Sequence, residues 1–183
     1  MSKKIFRFIC LFICVFSITN NSYAKDNPWV DYKSPEGNFT ASFPTTPELK
    51  SAEREDYTVY GLVATAEATE YKIIFSLQPQ ALSPKEQTSF LTDTVNMYVS
   101  SLKGKIKSEN VLESENYSGK EIKFITEDKL HINYRIFFYK NILFTLHVSR
   151  ANKFASSKDV NRFFESLVMQ KVEEAATQIP ETL

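Results

Sequence analysis

From residue 120 to residue 150 the chain returns to an apolar side chain at almost every second position. Ile122, Phe124, Leu130, Ile132, Tyr134, Ile136, Phe138, Ile142, Phe144, Leu146 and Val148 are all even-numbered. The even-numbered exceptions, Lys120, Thr126, Asp128, Lys140 and Arg150, fall at expected ends and turns. A period of two belongs to β-strands with one face on a core, so the stretch predicts a three-stranded antiparallel meander. Register follows from keeping the even set on one face, because a slip of one residue flips a strand. A two-residue turn at Lys140-Asn141 would pair Tyr139 with Ile142 and put Phe138 and Phe144 on opposite faces. A three-residue loop, Tyr139-Lys140-Asn141, pairs Phe138 with Ile142, Ile136 with Phe144, Tyr134 with Leu146 and Ile132 with Val148. Asn141 would take the left-handed position of such a loop. The same reasoning at Glu127-Asp128-Lys129 pairs Thr126 with Leu130, Phe124 with Ile132 and Ile122 with Tyr134. The expectation is one continuous apolar face and one polar face.

The rest of the chain is read around this meander. Glu36-Gly37-Asn38 has turn chemistry. Phe39, Ala41 and Phe43 then alternate as a short edge strand, stopped by Pro44 and Pro47. Residues 57–69 and 71–78 read as two antiparallel strands joined near Ala68-Thr69-Glu70. Ser83-Pro84-Lys85-Glu86 carries a capping box with proline at the first helical position. Leu91, Val95, Tyr98 and Leu102 follow at helical spacing, which predicts an amphipathic helix over 84–103 with Gly104 as its left-handed stop. Residues 106–117 are polar and read as a strand with a loop, ending at Ser118-Gly119. Ser156 and Asp159 open a second helix whose apolar stripe is Val160, Phe163, Phe164, Leu167 and Val168.

The first 24 residues have the order of an export signal. Lys3, Lys4 and Arg7 precede a short apolar run, and Ser22-Tyr23-Ala24 places small residues where a signal peptidase cuts. The alternative, a membrane anchor, would need a longer apolar run. Cys10 and Cys14 both lie in this segment, so the remainder can hold no disulfide, thiolate nucleophile or cysteine metal site. Removing three of the 22 basic residues and none of the 22 acidic ones leaves a small net negative charge. No basic block stands out, which argues against nucleic acid as a partner. Residues 25–170 then read as a single domain and residues 171–183 as a polar tail.

The stretch W-V-D-Y-K-S-P-E-G-N-F-T-A-S-F-P-T-T-P-E, from Trp29 to Glu48, resembles the opening of small exported proteins of the PsbP-like superfamily. That group includes the extrinsic photosystem II protein and the Ran-binding Mog protein. Y-S-G-K-E-I-K-F, from Tyr117, and V-N-R-F-F-E-S-L, from Val160, resemble its later strand start and closing helix. The resemblance implies an antiparallel sheet flanked by helices and a binding or assembly role. It carries over no catalytic or ligand residue, and nothing in the chain marks photosystem or Ran contacts.

Few residues of the chain point to chemistry. In the expected register His131 and His147 share the polar face of the meander, with Asn133 opposite His147. A third ligand is missing, so solvated strand histidines are the better reading. Glu121 faces Arg135 across strands, as an ion pair rather than a catalytic pair. No nucleophile elbow, phosphate loop or calcium loop occurs. Phe137 and Leu143 would make an apolar spot on the polar face, either covered or open to a partner. Together with His131, Asn133, Arg135 and His147 they form the candidate partner surface. The expected protein is thus a periplasmic or secreted α+β domain, an antiparallel β-sheet flanked by two main helices in an α/β/α sandwich. Its expected role is a non-enzymatic binding or assembly factor, without cofactor or catalytic residue, acting on another envelope protein. A carrier of a small apolar ligand, held between the sheet and helix 84–103, is the alternative. A hydrolase ranks below both.

Overall fold

The computed structural model describes residues 29–113 and 117–170. The expected signal (1–24) and polar tail (171–183) lie outside the described residues. In chain order the elements are β1 (Val30–Ser34), β2 (Phe39–Phe43), β3 (Glu48–Glu53), β4 (Thr58–Ala66), β5 (Thr69–Leu77), α1 (Pro84–Ser101), β6 (Lys105–Glu113), β7 (Tyr117–Ile125), β8 (Leu130–Tyr139), β9 (Ile142–Ala151), α2 (Ser157–Glu165) and β10 (Val168–Met169). A seven-stranded antiparallel sheet has the order β3-β4-β5-β9-β8-β7-β6, and a small sheet has the order β1-β2-β10. The architecture is α+β. One face of the large sheet carries α1, against Ile122, Phe124, Ile132, Tyr134, Ile136, Phe138 and Leu143. The other carries β2 and α2, against Tyr71, Ile73, Phe75, Phe137, Phe144, Leu146 and Val148.

Local sequence accounts for most boundaries. Ser83 accepts from the Glu86 amide while the Glu86 carboxylate accepts from the Ser83 amide at 2.9 Å, so the capping box of α1 is complete. Ser156 caps α2 by accepting from the Asp159 amide at 3.1 Å, while its hydroxyl donates to the Asp159 carboxylate at 2.6 Å. The β4–β5 turn uses Glu67 and Ala68, both at positive φ (47° and 58°). The Glu127-Asp128-Lys129 hairpin has the expected register, with Phe124 beside Ile132 and Ile122 beside Tyr134.

The β8–β9 register differs from expectation. Tyr139 pairs with Ile142, Phe137 with Phe144 and Tyr134 with His147. This is the two-residue turn, and the positive φ falls on Lys140 (54°) rather than Asn141. The physical reason is that the sheet has two buried faces. β9 is a central strand, between β5 and β8, and Leu143 through Ser149 are all buried. Apolar residues therefore need not share a face, and the even-numbered set divides between α1 and α2.

Other boundaries also move. β2 is not an edge strand, because β1 and β10 flank it. Pro44 still ends it. Gly37 serves close packing: a Cβ there would lie 2.6 Å from Phe39 Cδ1 and 2.9 Å from Phe75 Cε2. Positive φ in that turn belongs to Asn38 (50°). α2 ends at Glu165, so Leu167 and Val168 leave the helical stripe, and Val168 pairs with Thr40 in β10. Ser118 and Gly119 do not end the preceding segment; they are the second and third residues of β7, which starts at Tyr117. At Gly119 a Cβ would collide with the Ile136 carbonyl and lie 2.6 Å from Phe137 Cβ, so only glycine lets β7 and β8 close here.

Candidate functional site

The six residues of the expected partner surface do not share a face. His131, Asn133, Arg135 and Phe137 project from β8 toward α2, whereas Leu143 and His147 project from β9 toward α1. The two histidines are thus on opposite sides of the sheet, which corrects their expected pairing; Asn133 lies beside Val148, not His147. The cause is the one-residue change in register. Asn133, Phe137, Leu143 and His147 are buried. Among the described residues no group of three metal-ligating side chains occurs.

On the α1 face His147 lies 3.2 Å, Nε2 to hydroxyl, from Tyr98 of the helix. Burial, and then the charge of Lys72 across the strand pair, hold its imidazole well below the usual histidine range. It is therefore neutral near pH 7, and one ring nitrogen can accept a hydrogen bond. Lys72 is itself buried and meets the Glu70 carboxylate at 2.7 Å, while Ser149 Oγ donates to Glu70 at 3.4 Å. Glu70, Lys72 and Tyr98 were not expected to take part. Lys72 alternates with Tyr71 and Ile73 and so looked solvent-facing; no sequence signal says that this face of β5 is buried. The groups answer one another's charge and hydrogen bonds, as buried polar groups must.

On the α2 face Arg135 donates to Glu121 from Nη2 and Nε at 2.8 and 3.1 Å, as the sequence implied. Its guanidinium also stacks 4.7 Å from the Phe164 ring centroid, and Nη1 donates to the Phe164 carbonyl at 3.3 Å. Arg135 thus ties the sheet to the last turn of α2, where a cation also suits the helix dipole. Phe137 packs between Tyr117 and Phe144, with ring centroids at 5.1 and 5.3 Å. His131 lies edge-on to Phe154 at 4.7 Å. Its Nδ1 and the Asn133 Nδ2 are buried without a hydrogen-bond partner among the described residues.

An accessible polar feature lies where α1 runs into β6. The helix closes with the Gly104 amide donating to Val99 and the Lys103 amide to Ser100, a Schellman stop with Lys103 at φ 49°. A bulge between Ile106 and Ser108 then distorts β6. Lys103, Lys105 and Lys107 line a depression of about 360 Å³ with Ile125, Thr126 and Glu127. Lys103 meets Glu127 at 2.6 Å, and both are exposed.

No family model matches the chain, and no curated protein matches it. Among solved structures, the solution structure of cyanobacterial PsbP (CyanoP) from Synechocystis sp. PCC 6803 superimposes with a TM-score of 0.55 at 10% identity, covering 83% of this chain and 98% of that one. The fold is PsbP-like. A crystal structure from Bacteroides thetaiotaomicron VPI-5482 superimposes with a TM-score of 0.44 at 14% identity, over 79% of this chain and 49% of that one. In this PsbP-like scaffold the central strands of the large sheet are covered on both faces, by α1 on one and by β2 and α2 on the other. None of the described helices is long and apolar enough to cross a membrane.

Proposed function

We propose that the chain is an exported, non-enzymatic binding or assembly factor acting on another protein of the cell envelope, in the periplasm or outside the cell. The observation that carries this reading is how the interior is filled. Tyr98 packs 4.9 Å from Tyr134 and 5.6 Å from Phe124, and Phe90 packs 5.5 Å from Phe138, closing the space between α1 and β7–β8. That packing works against a ligand carrier, which needs an open cavity there. The interior polar pairs, Tyr98 with His147, Lys72 with Glu70 and Arg135 with Glu121, engage each other. Groups free to meet a partner lie on the surface, at strand edges and in the lysine-lined depression. The charged, apolar and small-residue order of residues 1–24 supports export, and the PsbP-like fold is in keeping with a surface-binding role.

Native mass spectrometry of the protein, purified gently from its own envelope fraction, tests this. The expected result is a mass lacking residues 1–24 and a second protein in fixed stoichiometry. A small-molecule adduct released on denaturation would establish the carrier instead. An uncleaved chain in the cytoplasm would remove the exported role.

A further inference from the structure

We propose that the outer edge of β6 receives an extended segment of the partner protein in which acidic and apolar side chains alternate. The acidic ones lie against Lys105 and Lys107, the apolar ones against Ile106 and Val111. This rests on the reading that the chain binds another protein, and names the chemistry of that partner.

β6 ends the seven-stranded sheet, and among the described residues its strand partner is β7 alone. Its outer amides and carbonyls can therefore pair with an added strand, which supplies main-chain hydrogen bonds while alternate side chains supply specificity. The two faces of this edge differ in chemistry. Lys105 lies beside Ile125 and Ser108 beside Lys123, on the α2 side of the sheet. Ile106 lies beside Phe124, Glu109 beside Ile122 and Val111 beside Lys120, on the α1 side. The bulge leaves Lys107 unpaired with β7 and in the same depression as Lys105.

Charge and exposure then select the occupant. Lys103 is engaged with Glu127, but neither Lys105 nor Lys107 has an ion-pair partner among the described residues. Lys120, on the other side, is taken by Glu109 at 2.6 Å. Ile106 and Val111 are 38% and 66% exposed. A strand carrying carboxylates on one face and apolar side chains on the other satisfies both. A neutral or basic strand would leave the two ammonium groups facing each other or a like charge, so the lysines exclude it. The opposite edge, β3, lacks this bias, since Lys50 and Glu48 there meet each other at 3.0 Å.

The probe is a blocked, fluorescein-labelled nine-residue peptide alternating Glu and Val, with a Lys and Val counterpart as control. Anisotropy titrations should show the acidic peptide binding and the basic one failing. Combined Lys105→Gln and Lys107→Gln should weaken binding by about tenfold or more, as should added salt. Lys158→Gln, at an exposed position on α2, should leave it unchanged. Hydrogen exchange should slow over residues 108–113 in the complex. Equal binding of both peptides, protection only at other strands, or protection of β6 that rises with protein concentration alone would overturn the proposal; the last would mark a second copy as occupant. Photo-crosslinkers at Asn110 and at Leu49 in the envelope separate this proposal from the broader one. An adduct at Leu49 but not Asn110 sinks the β6 edge and leaves a partner-binding protein. Absence of any co-purifying protein in the native mass measurement removes the partner itself.

Discussion

Leu143 and Phe144 are adjacent in sequence and buried on opposite faces of one strand, at 3% and 0% exposure. Replacing each by alanine tests the two-faced sheet directly. Phe144 stacks on Phe137 (5.3 Å, 17°) and Phe75 (5.9 Å, 25°) and lies edge-on to Phe39 (5.5 Å, 84°). Truncating a buried phenylalanine costs about 3–5 kcal/mol from lost transfer energy and the cavity left behind. Three ring contacts, each about 0.5–1.5 kcal/mol, favour the upper half of that range. Leu143 packs with α1 among Phe90, Leu91 and Phe138, and its truncation should cost about 2–5 kcal/mol. Total stability is on the order of 5–15 kcal/mol, so either change removes a large part of it. At about 4 °C per kcal/mol, Phe144→Ala should lower Tm by roughly 12–20 °C. Urea unfolding followed through the single tryptophan, Trp29, which packs 5.6 Å from Tyr71, gives the free energies. If Leu143→Ala costs less than about 0.5 kcal/mol, as an exposed position would, while Phe144→Ala carries its full cost, the reasoning fails. The sheet would then have one buried face and the three-residue loop.

Three further outcomes are expected. His147 has a depressed pKa when folded, so below the unfolded value near 6.5 the unfolded chain binds a proton that the folded one refuses. Stability should fall as pH drops below about 6.5, by up to about 1.4 kcal/mol per pH unit from this group; urea melts between pH 5 and 7.5 should show that component vanish in His147→Gln. Lys103→Gly places glycine at the left-handed helix stop and should raise stability by roughly 0.5–1 kcal/mol; a lowered melting temperature would contradict the assigned φ. Gly119→Ala should cost about 1–3 kcal/mol by overpacking against Ile136 and Phe137, and an unchanged urea midpoint would refute the close approach of β7 and β8.

Local chemistry made much of the fold legible. Ser83 and Glu86 mark the start of α1, Ser156 and Asp159 that of α2, and Pro44 the end of β2, because each acts on backbone groups a few residues away. The Glu127-Asp128-Lys129 hairpin could be registered because its flanking strands keep their apolar residues on one face. β1, β3 and β10 were not foreseen. Glu48–Glu53 is almost wholly exposed, and Val168–Met169 is too short to show a period. The candidate surface fared worst, since it depended on the register of β8 against β9.

Legible in the residues alone were therefore the three strands of the meander, the N-caps of both helices, the hairpin at residues 127–129 and the cross-strand pair of Glu121 with Arg135; the left-handed stop of α1 fell on Lys103 rather than on the expected Gly104. Each legible feature rests on spacing along one chain segment. Which sides of each strand are buried depends on packing between elements distant in the chain. β5 and β9 are interior strands with a layer on each side, so Lys72, Thr145, His147 and Ser149 are drawn out of solvent together with Phe144 and Leu146. An alternating pattern reports that two faces differ. It cannot report that both are covered, because covering comes from elements far away in sequence: α1 on one side, β2 and α2 on the other.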